Sequence, residues 1–184
     1  MRNDIGTLKS RHKKLPFYGV SKTVEGVTTT TFYRMTGFTS LPQNKNPQEY
    51  NRQYIDEDFQ RSDIMGYAPV IPYNFDRHDG NKVHDDIVDI TDNEKIGADA
   101  VRTLIVVDID DGSAIQRDYS VMPDGEGDDI NVYTYSGNFK AQGEKIMGTA
   151  TSSDNWQNDI LGSQVLPNGS YVQVQFPTNG GQYW

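Results

Sequence analysis

The chain has 184 residues with a formal net charge of −9, 35% hydrophobic and 11% aromatic residues, and no cysteine. That length can bury a sizeable core as one domain with tails, while the lack of cysteine excludes disulfides, thiolate catalysis and Cys-type zinc sites. No apolar run approaches the roughly 18 residues of a membrane span, and the charged N-terminus lacks the hydrophobic stretch of a signal peptide, so a soluble protein is expected.

The charge is unevenly placed. Residues 1 to 14 hold Arg2, Lys9, Arg11, Lys13 and Lys14 against Asp4 alone, whereas residues 84 to 129 hold 14 acids against Lys95, Arg102 and Arg117. A basic arm on an acidic body suits docking on a neighbouring copy better than nucleic-acid binding, because the body would repel phosphate. The abundant tyrosines fit surface shared with partners.

In chain order, residues 1–16 read as a polar, basic arm ending at Pro16. "TTTTFYRM" (28–35) is rich in the β-branched and aromatic residues that strands prefer. "SLPQNKNPQEYN" breaks that pattern, so residues from about 40 to 66 read as a long loop. Tyr50, Tyr54 and Phe59 make it one that lies on something, and loops of this length are usually functional or disordered. "VIPYNF" (70–75) reads as a strand, with Pro72 at an edge or bulge.

A helix is predicted over about 82–96. Asn81 caps it, Val83, Ile87 and Ile90 form its apolar stripe, Lys95 falls in the last turn and Gly97 ends it. "AVRTLIVVDI" follows as the most apolar strand. It returns through "QRDYSVM" by a three-residue loop, Asp111 to Ser113, that pairs Ile109 with Ile115, Ile105 with Tyr119 and Thr103 with Val121. "INVYTYSGNF", "KIMGTATS" and "SYVQVQF" read as further strands, with Val172, Val174 and Phe176 on one face of the last. The expected fold is therefore mainly β: an antiparallel sandwich or open barrel over residues 17–156 with one flanking helix. Residues 157–184 form a C-terminal extension.

Tests for chemistry fail in turn. Asp108, Asp110 and Asp111 before Gly112 resemble the start of a calcium loop, but Gly112 takes the fifth ligand position and no glutamate closes the loop. Asp124, Glu126 and Asp128 alternate suitably, yet Asp129 stands where glycine is needed. Like-charged clusters at strand ends are also a poor design for a glycosidase pair. His12, His78 and His84 lack metal-ligand spacing even with Asp85 and Asp86 nearby. Neither a nucleophile elbow nor a phosphate-binding glycine loop occurs. The sequence points to no enzyme, no metal and no cofactor.

Three stretches, "NPQEYNRQYIDEDFQRSDIMGYAPVIPYNFD" (46–76), "NKVHDDIVDI" (81–90) and "DDINVYTYSGNFKAQGEKIMGTATSSDNW" (128–156), together resemble the major tail protein, or tail tube protein, of long-tailed non-contractile bacteriophages. The resemblance covers roughly residues 44 to 156. It implies a β-sandwich with a flanking helix, related in fold to the type VI secretion tube protein, and hexameric rings stacked into a hollow tube for DNA ejection. It also implies a virion location after synthesis in the host cytoplasm. Tape measure, tail tip and tail terminator proteins would be the partners beside the chain itself, and DNA would pass the lumen without specific binding.

Such assembly needs heterologous joints. Lys9, Arg11, Lys13 and Lys14 of the arm and Tyr50, Arg52, Tyr54, Phe59 and Arg61 of the long loop are the candidate inter-subunit contacts. Asp108, Asp110, Asp111, Asp124, Glu126, Asp128 and Asp129 are expected to line the lumen or to receive the arm. An acidic lining would let DNA slide, since the duplex carries one charge per roughly 1.7 Å. The competing reading is an acidic β-sandwich binding module for a carbohydrate or cell surface.

Overall fold

The computed structural model describes residues 14–128, 131–153 and 171–176. In chain order it contains β1 (Lys14–Val24), β2 (Val27–Arg34), β3 (Phe38–Ser40), β4 (Pro47–Arg52), β5 (Arg61–Tyr67) and β6 (Val70–Asp76). Helix α1 (Lys82–Asp92) and a single 3₁₀ turn (Gly97–Ala100) precede β7 (Val101–Asp108), β8 (Ser113–Asp128), β9 (Tyr133–Ala141), β10 (Ile146–Ser153) and β11 (Tyr171–Gln175). The expected mainly-β, antiparallel fold with one flanking α-helix is the observed one.

The chain divides into two compact units. Of the described residues, one takes those through Thr36, Arg102–Asp118 and those from Glu144 onward; the other takes Gly37–Val101 and those in Tyr119–Gly143. Strand β8 contributes its first residues to one and its remainder to the other.

In the first unit β1 is flanked by β2 and β7, and the start of β8 pairs with β10, which in turn pairs with β11. Alternation within these strands sends Leu15 and Phe17, Ile105 and Val107, and Val174 toward one core, completed by Phe32, Ala114, Ala150 and Phe176. Burying a side chain of this size contributes about 1.5–3 kcal/mol. Here the expected boundaries are corrected at both ends. Strand β1 begins at Lys14 and so takes the last three residues of the expected arm. Strand β11 lies inside the expected C-terminal extension, yet it pairs with β10, and Val174 and Phe176 are core residues.

In the second unit the order is β8-β9-β6-β3. Ile71, Tyr73 and Phe75 pair with Phe139, Gly137 and Tyr135, so one face of the sheet carries a ladder of rings. Tyr73 stacks on Phe139 at 4.6 Å and Phe75 on Tyr135 at 5.6 Å between centroids. Asn81 caps α1, its side chain accepting from the Val83 and His84 amides. The helix buries Val83, His84, Ile87 and Ile90, and His84 stacks on Phe75 at 4.3 Å while meeting Phe38 edge-on. The His78 amide donates to His84 Nδ1 at 3.1 Å, which satisfies that buried nitrogen. The helix is shorter than expected. It ends at Asp92 with Asn93 as its cap, and Glu94 turns the chain at φ 49°, so Gly97 opens the 3₁₀ turn instead.

Two further expectations change. Residues 47–52 and 61–67 of the expected loop are instead the paired strands β4 and β5, a two-stranded sheet of their own joined by residues 53–60. The connection from β7 to β8 takes four residues, 109 to 112, rather than three, with the Gly112 amide donating to Asp108 O at 3.0 Å. Thr103 consequently hydrogen-bonds Asp118 at 2.5 Å instead of facing Val121.

Gly137 has no room for a side chain. A Cβ there would lie 2.5 Å from both the Tyr73 hydroxyl and the Met122 carbonyl oxygen. Gly137→Ala is therefore expected to destabilise the protein by about 1–3 kcal/mol through overpacking, read as a lower urea midpoint; an unchanged midpoint would contradict this packing.

Candidate assembly surface

The β4–β5 ribbon is anchored at its base. Asn44 and Val70 exchange both backbone hydrogen bonds at 2.9 Å, and the Ala68 amide donates to Asn46 O at 3.1 Å. Pro47 opens β4, a position that needs no ladder amide. Opposite it runs β5, in which Met65 is the extra residue of a bulge between the pairs Gln48–Gly66 and Glu49–Ile64.

What distinguishes the ribbon is exposure. Every residue of β4 is exposed, as is all of β5 except Gly66. Ile55, Phe59, Ile64, Met65 and Tyr67 are 108%, 82%, 58%, 71% and 61% exposed, which makes this ribbon the most apolar exposed stretch of the described chain. A two-stranded hairpin without a covered face is marginal in water, and contiguous exposed apolar residues mark interaction sites.

The polar side of the ribbon is ordered. Pairing sets Tyr50 opposite Asp63 and Arg52 opposite Arg61 on one face. Arg52 Nη1 donates to the Tyr50 hydroxyl at 2.8 Å, and Glu57 holds Arg61 through two charge-assisted hydrogen bonds. Both guanidinium groups flank the Tyr54 ring, 5.4 and 5.8 Å from its centroid. The structure thus brings Tyr50, Arg52, Tyr54 and Arg61 together, with Phe59 exposed on the same ribbon.

Of the four arm bases, Lys14 is exposed at the start of β1, opposite Asp108 in the pairing register. Lys9, Arg11 and Lys13 lie outside the described residues.

The acidic candidates differ in burial and in what they bond. Asp108 is buried, 5% exposed, and accepts the Asp110 amide at 3.1 Å; it shapes the β7–β8 turn and lines no surface, correcting the expectation from sequence. Asp111 accepts from the Ser113 amide and hydroxyl at 2.9 and 2.6 Å in the same turn, while Asp110 is exposed. Asp124 and Glu126 belong to the other unit. A register shift between Pro123 and Gly125 makes Asp124 an extra residue, which accepts from Asn138 Nδ2 at 3.1 Å. After the shift Glu126 sits opposite Tyr135 and Asp128 opposite Tyr133 in a regular register, so it is Asp124 that leaves the alternation. Asp129 lies outside the described residues. Among the described residues, no three or more His, Asp or Glu side chains gather to hold a metal ion, and no helix is long and apolar enough to cross a membrane.

A second exposed ribbon was not singled out by sequence. Residues 21–31, the outer halves of β1 and β2, are all exposed. Its ladder is regular through Val24–Val27, and Ser21–Thr30 and Thr23–Thr28 each share a hydroxyl hydrogen bond of 2.8 Å. Glu25 and Gly26, at φ 52° and 79°, make the two-residue turn, the left-handed geometry that matches strand twist. The available signal was "VEGV", a turn dipeptide between valines that have no apolar neighbour.

No family model matches the chain, and no curated protein matches it. Among solved structures it is similar to a chain in the cryo-EM structure of the anti-feeding prophage baseplate, 6-fold symmetrised. The TM-score is 0.48 and the identity 8%, and the match covers 78% of this chain and 97% of that one.

Burial, and next its hydrogen bond with Glu126, push the Tyr135 phenol from 10.0 up to about 12; the charges of Asp92, Glu126 and Tyr133 add to this. The folded state holds that proton more tightly than the unfolded chain. The resulting stabilisation is complete below pH 10 and is lost as pH rises from 10 to about 12. Tyr135→Phe is expected to flatten this part of the stability–pH curve; an equally steep loss in the variant would contradict the assignment.

Proposed function

We propose that this protein is a structural, non-enzymatic subunit of a phage tail tube. Copies join head to tail into rings, with six the number that the resemblance implies, and the rings stack into a conduit through which DNA is ejected. The observation that carries the reading is the β4–β5 ribbon: a two-stranded sheet with five large apolar side chains in water, inside the part of the chain that resembles tail tube proteins. Such a ribbon is expected to be covered in the working state, and a second copy supplies the cover. A patch that meets a different patch on the next copy generates rings or helical stacks.

The remaining features fit this reading. An overall charge of −9 disfavours holding DNA, which a conduit must release. The acids that stay exposed, Asp110, Asp124 and Glu126 among them, suit either the lumen or a docking face for the arm. Other tail proteins at the two ends of the tube, namely tape measure, tip and terminator, are the partners that go with this role, and the assembled virion is its location.

The test is to make the ribbon polar. Replacing Ile55, Phe59 and Ile64 together by serine removes side chains worth about 1.5–3 kcal/mol each when covered. This variant is expected to keep its thermal midpoint and to lose self-association in sedimentation velocity. Association equal to that of the unaltered protein would refute the ribbon's role. Retention on a glycan array by a strictly monomeric protein would instead favour the binding-module reading.

A further inference from the structure

We infer that the β1–β2 turn of one copy, Val24 to Val27, seats on the arginine pair Arg52 and Arg61 of another, with the Glu25 carboxylate entering between the two guanidinium groups. This deepens the head-to-tail reading and rests on it.

The demand for a carboxylate comes from the ribbon. Like charges directly opposite each other in an antiparallel ladder destabilise it, and Arg52 and Arg61 are such a pair. Glu57 neutralises Arg61. Among the described residues Arg52 has the Tyr50 hydroxyl and the Tyr54 ring but no carboxylate. Two guanidinium groups thus flank one ring with a single carboxylate in ion-pair contact among the described residues, Asp63 standing one pair along the same face, and a second carboxylate seated between them would balance them. Ile55 and Phe59, exposed in the same turn region, add apolar surface that would exclude water and strengthen the pairing.

The supply comes from the other ribbon. Glu25 sits at the tip of a tight turn and has no hydrogen bond or ion pair among the described residues. Its neighbours Val24 and Val27 are cross-strand partners, 55% and 66% exposed, so the carboxylate is presented between two apolar side chains. Many other acids are already engaged: Asp124 by Asn138, Asp118 by Thr103, Asp85 by Arg77 and Asp89 by Lys95. The threonine and serine hydroxyl pairs brace the ribbon behind Glu25, so little conformational freedom is lost on docking. Charge and apolar collar therefore match on the two tips. They are different patches, so the joint they make is heterologous.

Charge reversal tests the pairing. Glu25→Arg and Arg52→Glu, each alone, are expected to fold with unchanged melts and to require at least about tenfold more protein to assemble, the loss of roughly 1.4 kcal/mol or more per joint. Mixed one to one, they are expected to assemble again, because alternating copies restore the natural pair at one joint and the reversed pair at the next. Single variants that assemble like the unaltered protein overturn the inference, and so does a mixture that fails as its components do. In both cases assembly of the unaltered protein leaves the head-to-tail reading standing. An unaltered protein that stays monomeric at every concentration overturns both.

Discussion

One unbroken strand carries both halves of this fold. The sixteen residues of β8 serve the first unit as far as Asp118 and the second from Tyr119 onward. The first stretch pairs with β10, the second with β9. No loop or glycine marks the change. Within the strand the buried apolar positions pass from Ala114 to Tyr119 and Val121, from even to odd numbering, with the buried Ser120 between the last two.

The same strand decides what its acids can do. Regular pairing would have placed Asp124, Glu126 and Asp128 on one face, where three carboxylates repel one another or recruit a cation. The bulge at Asp124 takes that residue out of the alternation. Asp124 meets Asn138, and Glu126 faces Tyr135, where its acceptor and charge help to keep the buried phenol protonated. At the other end, Asp108 and Asp111 are spent on backbone amides of the β7–β8 turn. Much of the acidity of residues 108–126 thus shapes local structure, while the exposed apolar surface gathers on the β4–β5 ribbon.

How much of this was legible follows from where each residue's energy comes from. Strands β6 and β9 and the capped start of α1 are read from the sequence because their alternation or capping matches their burial, and β7 because its apolar run is buried in its middle and end, whereas Ile146 and Met147 of β10 are apolar yet exposed. The β4–β5 ribbon reads as a loop because neither of its faces is buried within one chain, so Tyr50, Ile64 and Tyr67 show no contrast between inward and outward positions. Its aromatic and arginine content did single it out, and the structure sets Arg52 and Arg61 beside the Tyr54 ring with Tyr50 bonded to Arg52. The end of α1 was misplaced because Asn93 and Glu94 stop the helix before Gly97 is reached. The alternation that sets Val174 and Phe176 on one face was legible, but not that β11 pairs with β10 and so belongs to the core rather than to an extension. Glu25 passed unnoticed because a turn residue carries no periodic signal.

In the proposed assembly, two exposed ribbons on a single copy become covered when copies meet. Electron microscopy of the purified, unaltered protein across a concentration series tests it most directly. Closed rings or stacked tubes of uniform diameter are predicted to emerge as concentration rises. A field of single compact particles at the highest concentration, with the ribbons still open to solvent, would contradict it.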